Sequence, residues 1–342
     1  MKINESMMIT KYGQPLSLMT REMKALPIGY ARVRIRANGV CSTDVKLVDG
    51  RGFTPNLPFT PGHEPSGTVE EVNSLNDSDG QYNGKNFVIF PHITCGQCEN
   101  CINGKENLCL NSGGSIGLSV DGAMAKYVDV PIKNLIPMPN GLDFVNASLA
   151  GGVVAVPLTA IKEQGNIMNK NTLVIGTGGL AMAAVQILKN SGADVTVLGR
   201  KDEKLEVAKK IGADRTLNST VDLWENELRQ ISGNGMDYII DLAGDPNEIP
   251  RMLKYVKRGG SISIVGYSKE ILSLDYSKIA LDGIKIVGSR SYTRNDLRYA
   301  IAMISKKKVV PVIQKTLPLE LANDAISLVR DGKSIGRIVL TI

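Results

Sequence analysis

Two hydrophobic periods divide the chain. Up to about residue 150 the apolar positions alternate with polar ones in short runs, as in Ala31-Arg32-Val33-Arg34-Ile35-Arg36. That period of two is the mark of half-buried strands. Glycine and proline punctuate these runs at Gly13, Pro15, Pro27, Gly29, Pro55, Pro58, Pro61 and Gly62, which predicts an all-β region rich in loops. The polar stretch 73–81 predicts an exposed turn. From about residue 171 the pattern changes. A short apolar run at 172–175 predicts a buried strand, and Leu180, Ala184, Ile187 and Leu188 then fall on one helical face that ends before Gly192. Residues 195–198 predict the next strand. Leu205, Ala208 and Ile211 mark a helix stopped by Gly212, and runs at 238–240, 262–265 and 284–287 predict further strands. Strands alternating with helices imply a doubly wound parallel sheet. Two more helical patterns follow residue 290, then a last strand at 337–342.

Composition adds bounds. At 342 residues the chain exceeds one core and fits two domains. Its 43% hydrophobic and 22% charged content is that of an ordinary globular protein. The net charge of +6, from 40 basic and 34 acidic residues, is mild. The one dense basic cluster, Lys306-Lys307-Lys308, follows a helical pattern and reads as a solvated helix C-terminus. No aromatic residues interleave with it, so no nucleic-acid partner is expected. The apolar run at 149–161 is too short to span a bilayer, and the first ten residues carry no signal-peptide core. An odd count of five cysteines, four of them tightly spaced, argues against a disulfide scaffold, and thiolates kept for a metal fit the cytoplasm.

The turn after the 172–175 strand reads Gly176-Thr177-Gly178-Gly179-Leu180-Ala181, a Gly-x-Gly-x-x-Ala between strand and helix. Gly176 allows the tight turn, Gly178 lets the backbone approach a pyrophosphate, and Ala181 permits close helix–strand packing. The helix start offers free N–H groups to the anion. An NAD-binding carboxylate belongs about twenty positions on. That position is Gly199, followed by Arg200 and Lys201. Gly199 leaves room for a 2′-phosphate and Arg200 can meet it in a bidentate way, so NADP(H) is expected, with NAD(H) as the alternative. Asp202 is read as the cap of the next helix.

The cysteines supply the second chemistry. Cys95-x2-Cys98-x2-Cys101-x7-Cys109 offers four thiolates, enough to close a tetrahedral zinc site. An iron–sulfur cluster uses the same donors, but the loop's polar residues and the lack of a second cluster motif favour structural zinc. Cys41, His63 and Glu64 offer one sulfur, one imidazole and one carboxylate, leaving a position open for chemistry. Zinc so held would lower the pKa of an alcohol or polarise a carbonyl. Thr43 is placed to relay the proton. Asp44 either orients the imidazole or caps a helix. His92, the only other histidine, reads as structural or pocket-lining.

Taken together, these segments resemble the zinc-containing medium-chain alcohol and polyol dehydrogenases over nearly the full length. The matching pieces are Gly39-Val40-Cys41-Ser42-Thr43-Asp44, Gly62-His63-Glu64-Pro65-Ser66-Gly67, the four-cysteine lobe, Asp121-Gly122-Ala123-Met124-Ala125-Lys126-Tyr127, the glycine turn and Gly332-Lys333-Ser334-Ile335-Gly336-Arg337. The resemblance implies a GroES-like catalytic domain over 1–152, completed by 291–342, around an inserted Rossmann domain over 153–290. It implies a catalytic and a structural zinc, a small alcohol or carbonyl substrate, a cleft that closes on cofactor, and a homodimer or homotetramer. It places Arg337 on the cofactor pyrophosphate and Gly266 near the nicotinamide. One departure stands out. Relatives carry a further Cys or Glu ligand just before the helix leading into the Rossmann domain, and here that place falls near Gly152. Two other readings stay open: an NADPH-dependent reductase of an activated double bond without catalytic zinc, and a non-catalytic cofactor-binding protein.

Overall fold

In the computed structural model, which describes residues 2–74 and 80–342, the chain forms two compact units. The first comprises Met1–Gly152, Tyr292–Lys306 and Ile313–Ile342, and the second Val153–Ser291 with Lys307–Val312. The centre of the expected 73–81 turn lies outside the described residues.

The first unit builds strands β1 (Ile3–Met8), β2 (Ser17–Glu22), β3 (Tyr30–Val40), β4 (Pro65–Asn73), β5 (Asn86–Ile89), β6 (Tyr127–Pro131) and β7 (Leu135–Pro137). The chain then makes β8 (Asn171–Ile175), β9 (Asp194–Gly199), β10 (Arg215–Asn218), β11 (Met236–Asp241), β12 (Val256–Ile264) and β13 (Lys285–Gly288) in the second unit, before β14 (Ile313–Pro318) and β15 (Arg337–Thr341) return to the first.

The long strand β3 organises the first unit. It pairs with β4 along its length, with β6 through Tyr30–Arg34 and with β15 through Ala37–Val40, in a sheet of order β14-β15-β3-β4-β5-β7. Such sharing needs breaks in register, and β3 has them at Arg32/Val33 and Ile35/Ala37. Its inward residues Ala31, Val33 and Ile35 pack with Val69, Phe87, Ile89 and Val128 in one core, while Val40, Ile338 and Leu340 join Met7, Phe59 and Ile326 in another. Three short helices interrupt this expected all-β region: Ser42–Val48, Glu99–Ile102 and Phe144–Ser148. None is long enough to show a 3.6-residue period.

The second unit is a six-stranded parallel sheet in the order β10-β9-β8-β11-β12-β13. This is the doubly wound Rossmann arrangement, with the order reversing between β8 and β11. Its strands are buried on both faces, as the near-continuous apolar runs require. The expected boundary at residue 291 needs one correction. Residues 307–312 belong with this unit, because Gln186 donates to the Val310 carbonyl (2.9 Å) and accepts from its N–H (2.8 Å), and Asn190 donates to the Lys308 carbonyl (2.5 Å). The lysine cluster ends the helix Arg294–Ser305, exposed as expected.

Candidate active site

The β3–β4 register assembles the metal residues of the first unit. Asn38 on β3 faces Pro65 on β4, so Cys41 beyond one strand end lies beside His63 and Glu64 before the other. Cys41 Sγ is 3.4 Å from His63 Nε2. A zinc ion with ordinary bond lengths holds sulfur and nitrogen about 3.6 Å apart. The pair therefore fits a shared ion with little movement.

Local chemistry fixes both donors. Cys41 is the N-cap of the helix Ser42–Val48: its Sγ accepts the Thr43 N–H at 3.3 Å, and Asp44 Oδ2 accepts the Cys41 N–H at 2.9 Å. The other Asp44 oxygen lies 3.2 Å from His63 Nδ1. Asp44 thus caps the helix, one of the two alternatives the sequence left, and also stands beside the imidazole, whose Nε2 is turned toward Cys41. Cys41, Asp44 and His63 bring ligand atoms within 4.8 Å of one another. The histidine turn needs glycine. Gly62 has φ 105° and a Cβ there would sit 2.5 Å from the Met124 amide nitrogen. Ala123 and Met124, from the Asp121–Ala125 motif, donate to the Gly62 and Pro61 carbonyls at 2.9 Å each and so back the turn.

Burial opposes charge on His63, but Asp44 and Cys41 outweigh it and raise its pKa well above the ordinary histidine range. A ligand must be neutral at its donor nitrogen, so metal and proton compete there. Zinc affinity at this site is expected to weaken as pH falls through the raised His63 pKa, beginning above the ordinary histidine range; a competitive-chelator titration at several pH values checks this, and a pH-independent affinity would contradict it.

Glu64 is placed differently from the expected ligand. It is 2% exposed, and its Oε1 accepts from Arg337 Nη2 at 2.8 Å. Its Oε2 is buried with no hydrogen-bond partner. Two glycines make room for the carboxylate: a Cβ would fall 2.2 Å from Oε2 at Gly39 and 1.9 Å from Oε1 at Gly152. Glu64 is not among the residues whose donor atoms gather within 4.8 Å here, which are Cys41, Asp44 and His63, so the structure does not bring the expected third ligand to the pair. Arg337 also has another partner than the pyrophosphate assigned to it: its guanidinium, 8% exposed, is held by Glu64. Buried opposite charges satisfy each other this way. Thr43 is half-buried on the first turn of the Ser42–Val48 helix. His92 contacts Ser115 Oγ through Nδ1 at 3.3 Å and packs edge-on to Phe90, the structural place expected for it.

The structure gathers the four-cysteine lobe. Its Sγ–Sγ separations are 3.9 Å for Cys95–Cys101, 4.0 Å for Cys98–Cys109 and 3.5 Å for Cys95–Cys109. Tetrahedral zinc thiolates stand about 3.8 Å apart. Backbone N–H groups of Leu110 and Cys101 lower the Cys98 thiol to about 6, and burial raises that of Cys101 to about 12. Glu106, inside the lobe, accepts from the Arg294 backbone N–H at 2.8 Å. Cys98→Ser is expected to leave this loop unclosed, giving one zinc fewer per chain and protease cleavage within 95–109; intact zinc content in the variant would refute the four-thiolate site.

In the second unit Gly176 has φ 111° and packs its Cα face toward Ala243 after β11, at the reversal of strand order. Gly178 is informative in another way. Its backbone is extended (φ −85°), and a Cβ there would meet nothing within 4 Å. Neither conformation nor packing demands glycine at 178, whereas a closely approaching pyrophosphate does. Thr177, Gly179 and Leu180 complete the turn into the helix Gly179–Asn190. Gly266 packs back to back with Gly244, where a Cβ would fall 2.3 Å from the Gly244 nitrogen. Gly199 is glycine for packing reasons: a Cβ would sit 2.4 Å from Thr177 Cγ2 and 3.0 Å from Leu205 Cδ2. Its want of a carboxylate is thus no independent sign of NADP. Arg200 is exposed beside it. The cap of the next helix is Lys201, not Asp202, which is its first residue and accepts from Asn218 Nδ2 at 2.7 Å.

Comparisons with known proteins agree with this geometry. Residues 28–140 match the alcohol dehydrogenase GroES-like domain, and residues 179–306 match the zinc-binding dehydrogenase domain. The chain is similar to two alcohol dehydrogenases of Geobacillus stearothermophilus. One is 30% identical over 341 residues and the other 31% over 342, each alignment covering 98% of both chains. It superposes on a short chain alcohol dehydrogenase from E. coli CFT073, solved with NADH, with TM-score 0.92, 26% identity and 99% of each chain covered. The chain belongs to the zinc-containing medium-chain alcohol dehydrogenase family, a class of NAD(P)-dependent oxidoreductases. No described helix is long and apolar enough to cross a membrane.

Proposed function

We propose that this zinc-dependent alcohol dehydrogenase interconverts an alcohol or polyol with its aldehyde or ketone, using NADP(H) in preference to NAD(H). The observation that carries the reading is the Cys41–His63 pair, 3.4 Å apart with Asp44 behind the imidazole. A reductase of activated double bonds without catalytic zinc has no use for that arrangement.

Cys41, His63 and the free Oε2 of Glu64 would hold the catalytic ion, and the four clustered cysteines the structural one. Bound zinc supplies a Lewis acid for the substrate oxygen and the nicotinamide a hydride acceptor. The chain's own residues do the rest. Asp44 keeps His63 Nε2 directed at the ion site. Thr43 passes the alcohol proton on. The turn Gly176–Leu180 presents backbone N–H groups to the pyrophosphate, and the chain at Gly266 lies near the nicotinamide ring. Arg200 and Lys201 meet the 2′-phosphate. The first unit is read as the catalytic domain and the second as the cofactor domain, in a cytoplasmic homodimer or homotetramer.

The test is a reduced-nicotinamide absorbance assay with NADP and NAD against primary alcohols, secondary alcohols, diols and sugars. Turnover with two zinc ions per chain, one at each cluster, supports the reading. Turnover only of activated alkenes with one zinc supports the alternative. Arg200→Ala is expected to weaken NADP about ten- to hundredfold and to leave NAD nearly unchanged, because only the phosphate loses a charged bidentate partner. Equal losses for both cofactors would rule out the phosphate role.

A further inference from the structure

We propose that Asn218 is a positioning residue for the cofactor: its side-chain amide clamps the turn at 199–202 and so sets Arg200 for the 2′-phosphate of NADP. This rests on the reading of Arg200 given above and adds to it a residue from another strand. β9 and β10 run parallel, and Asn218 at the end of β10 stands opposite Gly199 at the end of β9. Ligands of such sheets bind beyond the carboxyl ends of the strands, so the turns that follow β9 and β10 are neighbours on the binding side. Three hydrogen bonds join them. The Ser219 N–H and hydroxyl both donate to the Gly199 carbonyl, at 2.8 and 3.3 Å, and Asn218 Nδ2 donates to Asp202 Oδ1 at 2.7 Å. Arg200 and Lys201 lie between the two points of attachment.

The Asn218 side chain is itself fixed. Its Oδ1 accepts from the Thr220 N–H at 2.9 Å and from the Thr220 hydroxyl at 2.7 Å, which leaves its nitrogen to face Asp202. Asp202 is spent on this contact. The helix Asp202–Lys210 starts on Lys201 with no side-chain cap hydrogen bond, and the carboxylate of its first residue is drawn across to the end of β10. β10 is the outermost strand of the sheet, so no further strand supports this corner from outside. Arg200 is exposed, and a long side chain is costly to order. Holding the backbone on both sides of it removes one part of that cost before the cofactor arrives.

Asn218→Asp keeps the acceptor for Thr220 and turns a second carboxylate oxygen toward Asp202 in place of the donor. The dissociation constant and KM for NADP should rise about tenfold, with the loss outside kcat and the change for NAD about threefold at most. Exchanging the pair, Asn218→Asp with Asp202→Asn, reverses the polarity of the same hydrogen bond, keeps both Thr220 contacts and restores the net charge. NADP binding should then return to within about threefold of wild type. Asn218→Ala removes the donor without adding charge and should also weaken NADP more than NAD. Calorimetric titration of the zinc-loaded enzyme with NADP and with NAD reads each protein, and thermal midpoints show that each is folded. An exchange variant that binds NADP no better than Asn218→Asp overturns the clamp. An Asn218→Ala variant that binds NADP like wild type does the same, because the effect of Asn218→Asp would then be one of charge alone. Equal losses of NADP and NAD overturn it too. Arg200→Ala separates this failure from that of the reading beneath it. Equal loss of the two cofactors in Arg200→Ala removes the phosphate site itself; a selective loss there with none in the Asn218 variants removes only the clamp.

Discussion

Cys41→Ser should lower alcohol turnover by at least about a thousandfold while cofactor binding persists. A Lewis acid on the substrate oxygen contributes several kcal/mol, and each 1.4 kcal/mol is about tenfold in rate. The substitution is a clean one because Cys41 has two jobs here. It is the proposed metal donor, 3.4 Å from His63, and it caps the Ser42–Val48 helix by accepting the Thr43 N–H. Serine is among the best N-cap residues, so the second job survives. Asp44 keeps its bond to the residue-41 N–H, and the β3–β4 register does not depend on the thiol. Zinc per chain should drop from two to one, with the four-cysteine lobe still filled. The decisive comparison is turnover against zinc content in the same sample. Alcohol turnover that survives with one zinc would remove the metal from the mechanism.

The parts of this molecule that sequence reading reached are those where one residue type has one use. Four cysteines in fifteen residues are gathered near tetrahedral spacing, and Gly176-x-Gly178 opens a helix after a buried strand. The parallel sheet was legible because strands buried on both faces read as continuous apolar runs. What spacing could not convey is pairing across the fold. Glu64 and Arg337 are 273 positions apart, and nothing local says that one neutralises the other. Gly152 read as a missing ligand; its positive role, space for the Glu64 carboxylate, emerges only from contacts. Gly199 misled in the opposite direction. It looked like a gap left for a phosphate, yet Thr177 and Leu205 already fill that space. The helix after Cys41 was legible only as a possible cap at Asp44, because cysteine is an unusual N-cap and seven residues show no period.

The Glu64–Arg337 pair carries the other large expected effect, this one on stability. Both groups are nearly sealed from water, at 2% and 8% exposure, and Arg337 Nη2 bonds Glu64 Oε1 at 2.8 Å. Arg337 sits at the start of β15, the strand that pairs with the end of β3 leading to Cys41. Arg337→Met fills similar volume but strands the Glu64 carboxylate, whose Oε2 already lacks a partner. Breaking a buried pair in this way costs about 3–5 kcal/mol, because the surviving charge is uncompensated. For a unit of this size the thermal midpoint should fall by roughly 10 °C. Adding Glu64→Gln to that variant removes the stranded charge, so the double variant should regain most of the loss even though it has lost both ions. Calorimetry on wild type and the three variants measures the coupling directly. A double variant no more stable than Arg337→Met alone would mean that the arginine acts through its packing, and that the charge of Glu64 is not what β15 brings it there to meet. Added zinc gives a further discrimination. An ion on the orphaned Oε2 supplies positive charge that the arginine no longer does, so zinc should restore part of the midpoint in Arg337→Met and none of it once Glu64 is glutamine.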